Sequence, residues 1–129
     1  MPTTDLKSRY RAYIDCLNRR DWSSLSEHVD AAIHYNGQHV GLAGYRAMLE
    51  EDVRAIPDLH FHIELLVADP PHIAARLHFE CTPTGELFGL PVNGKRVIFS
   101  ENVFYEYRDG LISNVRSIID KAAITSQLE

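Results

Sequence analysis

The chain has 129 residues, 45% of them hydrophobic and 24% charged, with a formal net charge of −5. This fits one globular domain over residues 1–129, long enough to bury a core without disulfide or metal staples. The acidic balance, with no Lys/Arg cluster to offset it, argues against nucleic acid as a partner. No apolar run approaches the ~18 residues of a membrane span. Met1-Pro2-Thr3-Thr4-Asp5 leads into an amphipathic pattern rather than an apolar export signal, so the cytoplasm is the expected compartment.

Leu6, Tyr10, Tyr13, Ile14 and Leu17 recur at helical spacing and predict a helix over Thr4–Arg20, which Thr4 could cap. Asp21-Trp22-Ser23-Ser24 interrupts it, and Ser24-x-x-Glu27 matches a capping box for a second short helix through Leu25 to Val29. Ala32–Asn36 reads as a short strand turned by Gly37. Gly41–Ile56 is a third helix with Tyr45, Met48, Leu49 and Val53 on its inner face, ended by Pro57.

Beyond Pro57 the period changes. Phe61, Ile63, Leu65 and Val67 alternate with more polar neighbours, and after Asp69-Pro70-Pro71 so do Ile73, Ala75, Leu77, Phe79 and Cys81, an antiparallel hairpin. Thr82–Lys95, with three glycines and two prolines, reads as a long irregular loop. Arg96–Tyr107 and Leu111–Asp120 are strands joined at Arg108-Asp109-Gly110, a strong hairpin signal. Helices followed by an antiparallel sheet give an α+β order, and a sheet curved around the helices would enclose a concave ligand site.

The last strand ends in a lone carboxylate. Alternation puts Arg116, Ile118 and Asp120 on one face, and a carboxylate beside Ile118 is costly to desolvate without a partner or a task. Two readings are open: a pocket acid, or the N-cap of a short helix over Lys121–Leu128. Glu101 and Asn102 interrupt apolar runs on opposite faces of the preceding strand, so one of them points inward. Cys16 and Cys81 lack metal or redox spacing and read as buried small residues. His60-x-His62 is the best metal pair among seven histidines, but no third ligand is signalled and no metal is expected.

Several segments resemble the SnoaL-like polyketide cyclases (ester cyclase branch) of the nuclear transport factor 2-like superfamily. They are Asp21-Trp22, Tyr35-Asn36-Gly37, Gly44-Tyr45-Arg46, Ile56-Pro57-Asp58-Leu59, Thr84-Gly85-x-x-x-Gly89-Leu90-Pro91, Gly94-Lys95-Arg96-Val97, Arg108-Asp109-Gly110-x-Ile112, and Asp120 followed by Gln127-Leu128. They span almost the whole chain in the family's order. The resemblance implies a cone-like α+β barrel with a deep apolar pocket. It also implies aldol closure of a polyketide ester without cofactor or metal, with an aspartate at the position of Asp120 as general acid/base. Asn36 matches a pocket position that is commonly His or Asn, and the family's pattern places Asn102 inward. Arg116 stands where the family usually has Trp, which replaces an aromatic pocket wall by a cation.

The expected catalytic residues are therefore Asp120 and Asn36, with His34, Asn102, Arg116, Tyr13 and Ile118 around a small hydrophobic substrate. Asp120 would move a proton, and Asn36 would hydrogen-bond a carbonyl unless it is only a turn residue. Two other functions fit the same pattern: a non-catalytic carrier of a hydrophobic ligand, and epoxide hydrolysis by a water held near Asp120, Asn36 and Arg116. Tyr105 and Tyr107, with Phe99 or Phe104, offer more apolar surface than one sheet face can bury, so a homodimer through the outer face is expected.

Overall fold

The computed structural model describes residues 3–128, and the side chains of Thr3 and Thr4, including the expected Thr4 cap, lie outside the described residues. Helix α1 (Thr3–Asn18) buries Leu6, Tyr10, Tyr13, Ile14 and Leu17, the stripe that its 3.6-residue period requires. It stops short of Arg20, which takes a left-handed φ of 58° and turns its guanidinium back to the Leu17 carbonyl at 2.9 Å. A 3₁₀ helix over Trp22–Glu27 follows Asp21, so the Ser24/Glu27 capping box does not set its start. Strand β1 (Val29–Tyr35) begins earlier than its pattern predicted, and β2 (Gln38–His39) returns beside it. The turn between them uses positive φ at Asn36 and Gly37, the backbone of a tight hairpin. Helix α2 (Gly41–Ala55) ends before Pro57, with Tyr45 and Leu49 buried.

The antiparallel sheet expected between Leu59 and Asp120 is present as β3 (His62–Asp69), β4 (His72–Cys81), β7 (Val97–Arg108) and β8 (Leu111–Ile119). The long loop carries a small hairpin of its own, β5 (Glu86–Leu87) with β6 (Leu90–Pro91). The main sheet is mixed rather than purely antiparallel, because β1 joins β8 in parallel, giving the order β2-β1-β8-β7-β4-β3. The reason is physical: Val29 and Ile33 need a buried face, and the free edge of β8 supplies hydrogen-bond partners. The Ile112 N–H donates to the His28 carbonyl at 2.8 Å, and the Asn36 N–H to the Val115 carbonyl at 2.8 Å. Helix α3 (Lys121–Leu128) closes the chain, with Ile124 fully buried.

Helices α1 and α2 fill the concave face, where their apolar stripes meet the inward residues of the strands in one core. A register slip between Ile63 and Leu65 reverses the alternation of β3. Leu65 and Val67, expected inside, are therefore 59% and 52% exposed on the outer face, while Leu66 and Ala68 pack inward. On β7, Val97, Phe99, Val103, Tyr105 and Tyr107 face the core and Phe104 faces out. Tyr105 and Tyr107, expected on the outer face with either Phe99 or Phe104, are therefore buried, and of that pair Phe104 is the one that faces out.

Candidate active site

Between α1, α2 and the sheet lies a cavity of about 40 Å³. Tyr13 and Leu17 of α1, Tyr35 of β1, Tyr45, Met48 and Leu49 of α2, and Glu101, Val103 and Tyr105 of β7 form its walls. Glu101 is the one carboxyl-bearing residue in this lining. Its Oε2 accepts a hydrogen bond from the Ser117 hydroxyl on β8. Burial pushes its pKa above the usual carboxylate range, the Ser117 bond pulls it back, and the Asp52 charge adds to the rise. Asp52 lies on α2 three residues after Leu49 and seven after Tyr45, on the helix face that meets the cavity. Burial first, and the Glu51 charge second, raise its carboxyl to about 6.

The rest of the polar lining is phenolic. The Tyr13 and Tyr45 hydroxyls are 2.6 Å apart, and the Tyr10 hydroxyl donates to that of Tyr105 at 3.1 Å. Burial pushes all four above the ordinary tyrosine range, so they stay neutral hydrogen-bond donors at any working pH. A carboxyl group whose proton affinity burial has raised, set beside neutral phenols, can exchange a proton with a carbonyl compound while the phenols hydrogen-bond its oxygen.

The residues nominated from sequence are dispersed. Tyr13 lines the cavity as expected. Asp120 is exposed and accepts the Ala123 N–H at 3.1 Å, so the structure places it as the N-cap of α3 rather than on the cavity wall. Arg116 and Ile118 lie on the same outward face, Ile118 being 73% exposed. Asn102 also points outward, where its Oδ1 accepts from Arg76 Nη1 at 3.2 Å, and Glu101 takes the inner position. His34 is exposed, its ring 5.0 Å from that of His39. Asn36 is exposed at the hairpin turn and directs its amide to the main chain of Ser117 rather than into the cavity. A signal for Glu101 was present, because Val97, Phe99, Val103, Tyr105 and Tyr107 share its parity and outweigh the alternate set. Asp52 carried a weaker signal: helical spacing puts it on the face of Tyr45 and Leu49, but nothing in the sequence sets how deeply its carboxyl is buried.

Among the described residues no three His, Cys, Asp or Glu side chains converge as a metal site, and Cys16 and Cys81 are free and buried. No described helix is long and apolar enough to cross a membrane. Roomier surface grooves lie elsewhere. One of about 470 Å³ runs between Trp22, Leu25, Leu42 and Arg46, and one of about 380 Å³ lies by Leu6, Pro70, Pro71 and Tyr107. No carboxyl-bearing residue lines the first of these, and Asp109 is the one that lines the second.

The family model of the SnoaL-like polyketide cyclases matches residues 7–128. The chain belongs to this family. A SnoaL-like polyketide cyclase from Agrobacterium tumefaciens is 46% identical over 100% of both chains, with a TM-score of 0.96. TsrD from Streptomyces laurentii is 20% identical, covering 99% of this chain and 97% of its own, with a TM-score of 0.86. AclR from Streptomyces galilaeus, described as a proposed hydroxylase, is 22% identical over 98% and 97%, with a TM-score of 0.80. With the two Streptomyces proteins the likeness is one of fold, and a shared fold does not by itself fix a reaction. No curated protein matches this sequence.

Proposed function

We propose that this SnoaL-like protein is an enzyme that moves a proton on a small hydrophobic carbonyl or ester compound, with Glu101 as its acid–base group. The observation that carries the reading is Glu101 itself, a carboxyl on the wall of an otherwise aromatic and aliphatic cavity, held by Ser117. The Tyr13–Tyr45 hydroxyl pair supplies donors for an enolate or alkoxide oxygen that develops beside it. A cavity of about 40 Å³ holds little more than a water or two, so a substrate must spread its walls. Met48, unbranched and adaptable, is the wall residue best suited to yield.

The test is turnover of a panel of small ketones, esters and epoxides, with solvent deuterium uptake at enolisable carbons followed by NMR. Glu101→Gln should lower the rate by roughly 10²- to 10⁴-fold, the usual worth of one positioned acid–base group. A Glu101→Gln protein of undiminished rate would remove Glu101 from the chemistry. A parent protein that binds panel members and turns over none of them is the hydrophobic carrier instead. Turnover confined to the epoxides would favour hydrolysis.

The outer sheet face supports a second copy of the chain as partner. Leu65, Val67, Phe104 and Ile118, each more than half exposed, fall in two adjacent rows across the sheet. The pairings Val67–Ala74–Phe104–Arg116 and Leu65–Arg76–Asn102–Ile118 define those rows. Four large apolar side chains left open on one sheet face, interspersed with Arg76, Asn102 and Arg116, fit the interface of a two-fold dimer.

A further inference from the structure

Asn36 was expected to face the substrate, and its contacts give it another task. Its Oδ1 accepts the Ser117 N–H at 2.8 Å, its Nδ2 donates to the Ser117 carbonyl at 3.4 Å, and its own N–H donates to the Val115 carbonyl at 2.8 Å. Strand β1 ends at Tyr35, so beyond that point the edge of β8 has lost its main-chain neighbour. The Asn36 amide, with one donor and one acceptor, stands in for the missing peptide group. The left-handed φ of 48° folds its side chain over β8, a conformation that Asn tolerates better than most residues.

The residue so clasped is the one whose hydroxyl holds Glu101. Ser117 Oγ donates to Oε2, and Oε1 has no hydrogen-bond partner among the described residues. We propose that Asn36 and Ser117 are positioning residues for Glu101: the Asn36 amide fixes the Ser117 main chain, and the Ser117 hydroxyl commits one carboxyl oxygen while leaving the other for substrate. This rests on the reading of Glu101 as the acid–base group. Facing Glu101 are Asp52 and Tyr45 from α2, Tyr10 and Tyr13 from α1, Tyr35 from β1 and Tyr105 from its own strand. The phenols stay neutral, so Asp52 is the facing neighbour whose own charge changes in the acidic range.

The experiment follows the side-chain carboxyl ¹³C resonance of Glu101 against pH in the full-length protein. The signal is identified by its loss in Glu101→Gln, and the titration is repeated with Asp52→Asn to remove that neighbouring charge. Ser117→Ala should move the midpoint upward, a roughly two- to tenfold gain in proton affinity for one lost hydrogen bond to the charged form. Ser117→Thr, which keeps the hydroxyl, should restore it. Asn36→Gly, which tolerates the left-handed turn, should shift the midpoint in the same direction although residue 36 never touches the carboxyl. Asn36→Ser serves if Asn36→Gly does not fold. A lowered Tm with the Glu101 midpoint unmoved would reduce Asn36 to a fold clasp and overturn the proposal, as would an unmoved midpoint in Ser117→Ala. A midpoint that moves as expected while Glu101→Gln keeps full turnover would retain the chain of contacts and discard the catalytic role.

Discussion

Asp52→Asn offers a direct check on the electrostatics of the cavity wall. The carboxyl sits in the last turn of α2, where the unpaired carbonyls already disfavour negative charge. No hydrogen bond reaches it among the described residues. Its folded-state value of about 6 lies above the ordinary 3.8, so the folded chain holds this proton more tightly than the unfolded one. Its contribution is therefore full below pH ~4, falls as pH rises through the interval to about 6, and stays lost above that. The difference, 6 − 3.8, amounts to a penalty of about 3 kcal/mol in the alkaline limit, at 1.36 kcal/mol for each pH unit. Urea unfolding of the parent and Asp52→Asn at pH 4 and pH 8 measures it. The variant should match the parent at pH 4 and exceed it by up to about 3 kcal/mol at pH 8, with equal m-values. Parallel stability curves for the two proteins across that range would refute the assignment.

The other predictions concern single contacts. Asp120→Ala should cost about 1 kcal/mol by thermal unfolding and Asp120→Asn almost nothing, as an N-cap requires. Loss of turnover in Asp120→Asn with its Tm unchanged would restore Asp120 as the acid. Tyr13→Phe strands the buried Tyr45 hydroxyl and should destabilise by about 1–3 kcal/mol; calorimetry showing no change would mean that a water replaces the partner. Phe104→Asp should convert a two-fold dimer to monomer in sedimentation at micromolar concentration, and a parent that sediments as a monomer would end the dimer proposal.

The helical stripes of α1 and α2 and the period-2 alternation of β4 could be read directly, because local spacing and burial agree there. The outer half of β3 could not. A single extra residue near Glu64 reverses which side chains face in, and that slip follows from pairing with Arg76 rather than from any residue in β3. Glu101 and Asn102, one position apart with opposite destinations, were separable by the parity of the apolar residues around them, and β7 pairs with β4 there without a slip. Asp120 shows a different boundary: Ile118 beside it suggested burial, but the outer face leaves Ile118 in the open, so the carboxylate meets no apolar wall. The parallel joining of β1 to β8 brings together residues as far apart in sequence as Val29 and Ile112, and no local pattern encodes it.

That joining has a consequence for how the chain is made. Beyond its short partner β2, strand β1 waits for its inner neighbour until β8 has been synthesised, because β8 lies between β1 and β7. Such distant pairing predicts slow folding for a protein of this size. It also predicts that a chain cut before Leu111 unzips two ladders at once, leaving the Ile33 side and the Val103 side both without a strand to lean on. On the ribosome the helices can form early, but the bowl closes only when the last segment emerges.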